Sequence, residues 1–237
     1  MRGPPAAASG LCHSYPMAGV QKFDPKTVVK AGFDRSLEAQ YPLARRNIER
    51  LRRVNPDKSP AEVMSVLNSY YLGTVTATGA GAGLAAVVPN GWVQFPAAVA
   101  DLLTFFEASI LYTLSVAEIH GVDVEDVERR RLLVMSVLAG DAAAQKALKP
   151  LIGRTAPHWG KKIVESIPMT TIKAANKVLG PRFITKYGTK QGIIVLAEQI
   201  PLFLGVGIGA GGNHLFGRFI IKAQQKILGP APEAWGS

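Results

Sequence analysis

From Val63 to Ala100 the chain carries no charged side chain, and this run constrains the fold more than any other feature. A helix facing water normally keeps a charged face, so a charge-free stretch this long has to be covered by something apolar. Tyr70-Tyr71-Leu72-Gly73-Thr74-Val75-Thr76 leads there into a small-residue segment with Gly79, Gly81 and Gly83. Each interior glycine costs a helix about 1 kcal/mol relative to alanine. That cost is offset where another backbone presses close, since small side chains permit the approach. Pro89-Asn90-Gly91 and Pro96 then mark a reversal. The pattern is a helical hairpin, with a Gly-rich first arm over 70–88 and a bulkier second arm from Pro96 to His120. Trp92 and Phe95 stand at its tip.

The second arm holds the informative polar residues. At about 100° per residue, Glu107 and Glu118 lie about 20° apart around the helix. Thr104 and Ser115 fall on the same arc, and Asp101 lies near its edge. This stripe is either a solvated surface or a buried row of carboxylates facing a cavity or partner. Leu102, Leu103, Phe106, Ile110, Leu114 and Ala117 fill the remaining faces as candidate core.

In chain order, residues 1–22 read as a loose arm without the apolar core of a signal peptide, so none is expected. Asp24-Pro25 caps a helix over about 25–39, and Pro42 opens a second, Arg-rich helix over 43–54. Ser59, Pro60 and Glu62 form a capping box ahead of the hairpin. Gly121 ends the second arm, Asp123 caps a helix that contains Arg129-Arg130-Arg131, and Gly140 stops it. Short helices are expected after Asp141, over 157–166 and over 169–179, with Gly180-Pro181 closing the run. A second Gly-rich segment at 205–212 leads into a final helix. There Arg218, Lys222 and Lys226 form one row opposite Phe219, Ala223 and Ile227. Gly229-Pro230 ends that helix, and 230–237 reads as a polar tail. With no alternating strand pattern anywhere, the expected class is all-α: one helical domain over 23–229.

The net charge of +10 is uneven: residues 1–120 contribute +2 and residues 121–237 contribute +8. Residues 142–190 alone hold ten Lys or Arg and a single acid, Glu165. Such a block attracts phospholipid head groups, nucleic acid or an acidic protein face, or is simply a solvated surface. Cys12 is the only cysteine, which leaves no intrachain disulfide or Cys-based metal site and fits a reducing compartment.

Catalytic motifs are weak. Gly207-Ile208-Gly209-Ala210-Gly211-Gly212 matches a dinucleotide fingerprint by letter but lacks the strand–turn–helix context. His13, His120, His158 and His214 are scattered, without the spacing of a metal site. Glu107 and Glu118 on one helix would stand about 16 Å apart, too far for a glycosidase pair. Trp159, Phe183 and Tyr187 lie among the basic residues, but no nucleic-acid-binding signature accompanies them. No cofactor is expected.

The segment Ala100-Asp101-Leu102-Leu103 through Ala117-Glu118-Ile119-His120-Gly121-Val122-Asp123 resembles the central motif of the EcsC family. Ile200-Pro201 through Gly212-Asn213, running into a basic helix, resembles that family's closing motif. The likeness covers roughly residues 40–229. It implies a bacterial, helical, cytoplasm-facing protein with no established reaction, found near an ABC transporter.

The expected function is therefore non-enzymatic: a protein peripheral to the cytoplasmic face of the inner membrane, binding anionic lipid or another apolar ligand. Arg218, Lys222 and Lys226 are the candidate head-group contacts, and Trp92 and Phe95 the candidate membrane or partner tip. Full spanning is disfavoured by Glu107, since an ionised acid at the centre of a membrane helix costs about 2.5–3.5 kcal/mol. The alternative is an adaptor that packs against a membrane protein such as a transporter subunit. An enzyme using Asp101, Glu107 or Glu118 has the least support.

Overall fold

Six helices carry the described chain, and no strand occurs among the described residues. They are α1 (Pro25–Val54), α2 (Pro60–Ala86), α3 (Gly91–Ile119), α4 (Val127–Ala139), α5 (Met169–Gly188) and α6 (Val206–Leu228). The computed structural model describes residues 24–86, 91–140, 146, 149, 166–188 and 206–235. The expected N-terminal arm, the helices after Asp141 and over 157–166, and residues 200–205 of the closing motif lie outside them.

Local chemistry sets most helix ends. Asp24 accepts the Lys26 amide at 3.1 Å and the Thr27 hydroxyl at 2.6 Å. The Thr27 bond foremost holds the Asp24 carboxyl below its ordinary range. At α2 the expected capping box is present: Glu62 accepts from the Ser59 amide and hydroxyl, both at 2.8 Å. Gly121, Gly140 and Gly229 end their helices at φ 62°, 86° and 92°, a region that favours glycine.

Four expected boundaries are displaced. The first helix does not break at Pro42, and α1 runs through it. Proline removes one helical hydrogen bond there. Pro42 is exposed, however, while Val29, Phe33, Leu37, Ala44, Ile48 and Leu51 bury one continuous face on both sides of it. Burial of that face holds the helix together. In the same way α5 passes through Gly180-Pro181, carried by buried Ile172, Ala175, Leu179 and Phe183. At α4 the cap is Asp126, which accepts from the Glu128 and Arg129 amides, whereas Asp123 closes a turn onto the Glu125 amide. The second hairpin arm also starts earlier than Pro96, at Gly91.

The core lies around α3. Phe33, Phe106 and Phe183 meet there from α1, α3 and α5, with ring centroids 4.8–6.1 Å apart. Arg130, 6% exposed, is part of this framework and not of a basic surface. Its guanidinium donates to the carbonyls of Val124, Leu37 and Glu125 and stacks 4.1 Å over Tyr41. Arg131 reaches Asp34 of α1 at 3.2 Å. Beyond α6, Trp235 donates to the Lys58 carbonyl at 3.1 Å and lies under the Arg52 guanidinium. The residues following Gly229, read from sequence as a tail, thus touch the bundle at Trp235.

The most extensive helix pair is α2 with α6, and at Gly217 side chains of α2 fill the space a Cβ would need. A Cβ at Gly217 would lie 2.9 Å from both Leu72 Cδ2 and Val75 Cγ2, whereas one at Gly73 would meet nothing within 4 Å. Gly73→Ala is expected to raise stability by about 0.5–1 kcal/mol. Gly217→Ala is expected to lower it by about 1–2 kcal/mol through overpacking against stiff, buried Val75. Urea unfolding midpoints of the two variants check the opposite signs.

Candidate functional site

Polar contacts on α2, α3 and α6 fix how these helices lie together. Thr76 Oγ1 donates to the Leu72 carbonyl at 2.6 Å and stands 3.1 Å from His214 Nδ1. With the hydroxyl hydrogen already committed, the bond to His214 closes when Nδ1 carries the proton. One residue earlier on α6, Asn213 Nδ2 donates to Asp101 Oδ1 of α3 at 3.3 Å. Burial pushes the Asp101 carboxyl above its ordinary range, and the Asn213 bond opposes that shift.

Deeper along the same interface, Tyr71 and Tyr112 stack at 4.3 Å. Their hydroxyls bond Ser109 at 2.8 Å and Asn68 at 2.7 Å, and burial drives both phenols well above the usual tyrosine range. Phe105 and Phe216 meet edge to face, and Gln224 Nε2 reaches the Thr113 carbonyl at 3.5 Å. These pairings make α2 antiparallel to both α3 and α6. Consequently residues 77–86, 91–100 and 206–212, lying past the Thr76–His214 and Asp101–Asn213 level, share one end of the bundle. None of those residues is charged.

The opposite end carries charges of both signs, with Glu49, Asp57, Glu62 and Glu118 among its basic residues. It gathers exposed Arg50, Arg52 and Arg53 near the end of α1 and Lys58 before α2. An open cleft of about 440 Å³ lies there, lined by Glu49, Arg52, Arg53, Asn55, Pro56 and Trp235.

The stripe on α3 divides. Thr104, Glu107 and Glu118 are exposed, with the Thr104 hydroxyl bonded back to Ala100. Ser115 is fully buried and lies 3.4 Å from Asn47 Nδ2 of α1. The idea of a buried carboxylate row is corrected: both glutamates face water, and only Asp101 is partly buried. α1 covers the Ser115 side of the arc and leaves the glutamates outside. Residues Ala100–Ile119 form a helix long and apolar enough to cross a membrane, but 67% of its apolar window is buried in the bundle.

On α6, Arg218, Lys222 and Lys226 are all exposed. Phe219, expected on the opposite, buried side, shares their face at 47% exposure. Leu215, one turn earlier and 53% exposed, is also on it. The pitch of the helix puts Leu215 and Phe219 on the same arc as the cations, and the structure leaves both exposed there. Trp92 and Phe95 fall in the first turns of α3, and their side chains lie outside the described residues.

For chemistry the arrangement offers little. Among the described residues, no three His, Cys, Asp or Glu side chains are grouped to hold a metal ion. Residues 207–212 are themselves helical, so the glycine fingerprint does not form a phosphate-cradling loop. Comparison with family models, curated proteins and solved structures returns no match to this chain.

Asp101 provides a test of this geometry. Its folded-state pKa is raised, so its stabilising contribution is present below the unfolded value near 3.8 and is lost as pH rises through the folded value. Asp101→Asn keeps an acceptor for Asn213 and removes the burial penalty. The variant is expected to unfold at higher temperature than wild type at pH 7, with the gap closing as pH falls. Thermal melts across that pH range check it.

Proposed function

We propose that this chain is a non-enzymatic helical protein that works at the cytoplasmic surface of a membrane, binding lipid, in keeping with its EcsC-like motifs. The observation that carries the reading is the separation of charge along the bundle. Three helix ends without a charged residue converge at one end, while charged residues of both signs, arginines and Lys58 among them, gather at the other. Uncharged helix ends tolerate a low-dielectric neighbour, and exposed cations are drawn to the negative leaflet at about 1 kcal/mol per residue near the surface. The overall charge of +10 favours the same partner.

Vesicle co-sedimentation tests it. Recovery is expected to be higher with vesicles containing phosphatidylglycerol than with phosphatidylcholine alone. It should fall as added salt shortens the screening length from about 10 Å at 0.1 M to about 3 Å at 1 M. In cells, the protein is expected in the membrane fraction and in the supernatant after a carbonate wash. Equal background recovery from both vesicle types would remove the proposal.

A second reading, an adaptor for a membrane protein, draws on exposed glycine. Gly73 on α2 and Gly211 on α6 are open on the surface, which would let a foreign helix approach. Detergent pull-down of the Gly73→Leu/Gly211→Leu variant separates the readings. Loss of a stoichiometric partner with retained vesicle binding would favour the adaptor.

A further inference from the structure

We propose that the outer face of α6 is the surface that lies on an anionic bilayer, with cations at the phosphates and Leu215 and Phe219 below them. This rests on the membrane reading above and assigns its contact surface. Leu215, Arg218, Phe219, Lys222, Gln225 and Lys226 are all exposed and, at about 100° per residue, occupy an arc of roughly 120°. The other side is committed to the bundle through Gly217, Ile220, Ala223, Gln224 and Ile227. No acidic residue occurs anywhere in α6.

The two apolar residues make the face specific. Of six large hydrophobic side chains exposed among the described residues, two stand on this helix, one turn apart, Leu215 ahead of the cations and Phe219 beside Arg218. Phe219 is also held in place. Its ring lies over Gly140, where a Cβ would approach Phe219 Cζ to 2.5 Å, so the end of α4 supports the ring while its outer part stays in water. Nucleic acid would use the cations and leave the apolar pair unburied. A bilayer interface takes both, as surface-lying amphipathic helices do. From Leu215 to Lys226 the face is about 16 Å long, enough to rest in the membrane plane.

The test uses the full-length protein and vesicles with or without phosphatidylglycerol. Arg218→Gln/Lys222→Gln is expected to weaken binding to the anionic vesicles about thirty-fold, at roughly 1 kcal/mol per cation, and to flatten the salt dependence. Leu215→Gln should weaken it several-fold and leave the salt dependence intact. Lys173→Gln/Lys177→Gln, which removes two exposed cations from α5, should bind like wild type. All five positions are at the surface, so thermal unfolding should barely change.

If the α5 variant loses as much as the α6 double variant, net charge and not this face is the attractor, and the inference fails. Full binding by both α6 variants overturns this assignment while the membrane reading stands. No binding by wild type overturns both. Tighter wild-type binding to duplex DNA than to anionic vesicles, lost in the α6 double variant, would make the face a nucleic-acid surface and also overturn it.

Discussion

Gly217 is the point on which the arrangement of α2, α3 and α6 depends. Without a side chain there, α6 settles against Tyr71, Leu72 and Val75, near enough for His214 to reach Thr76 and Asn213 to reach Asp101. A bulkier residue would force the two helices apart and lengthen both polar bonds. Close packing of side chains onto a bare backbone gains dispersion and excludes water, and it requires a small residue only where they meet it. The other glycines of the two small-residue arms are not all under that demand; Gly73 and Gly211 face open space.

That contact also settles where the charge goes. With α2 antiparallel to α3 and α6, the uncharged stretches of three helices are brought to one end, although two of them are far from the third in sequence. Asp101 sits at the edge of this region, partly buried, with an amide and not a cation as its partner. Its raised pKa is the electrostatic cost of placing a carboxyl there. At the other end Arg52 and Trp235 close the bundle by stacking a guanidinium on an indole, a contact worth about 0.5–1 kcal/mol at an exposed site.

Local features were legible wherever a short-range bond decides the conformation. The Ser59–Glu62 box and the glycines at 121, 140 and 229 act within a few residues of themselves, and each stands as its sequence pattern indicates. The prolines misled for the complementary reason. Pro42 and Pro181 carry a real local penalty, but each lies on the exposed side of a long apolar face whose burial on distant partners outweighs it. Arg130 shows the same limit. In a run of three arginines it looks like surface charge, and it becomes a buried donor only because Leu37, Val124 and Glu125 offer carbonyls from two separate parts of the fold.

The sequence by itself determined the helical class, the charge-free run and most helix ends, because periodicity, charge and capping act over one or two turns. It also placed Arg218, Lys222 and Lys226 in one row, since that needs only the pitch of a helix. Tertiary structure alone decided that side chains of α2 fill the space beside Gly217, that Glu107 and Glu118 face water, and that the arc of α6 holding Leu215 and Phe219 is left uncovered. Those outcomes depend on which neighbour covers which arc of a helix, and coverage comes from residues dozens to more than a hundred positions away.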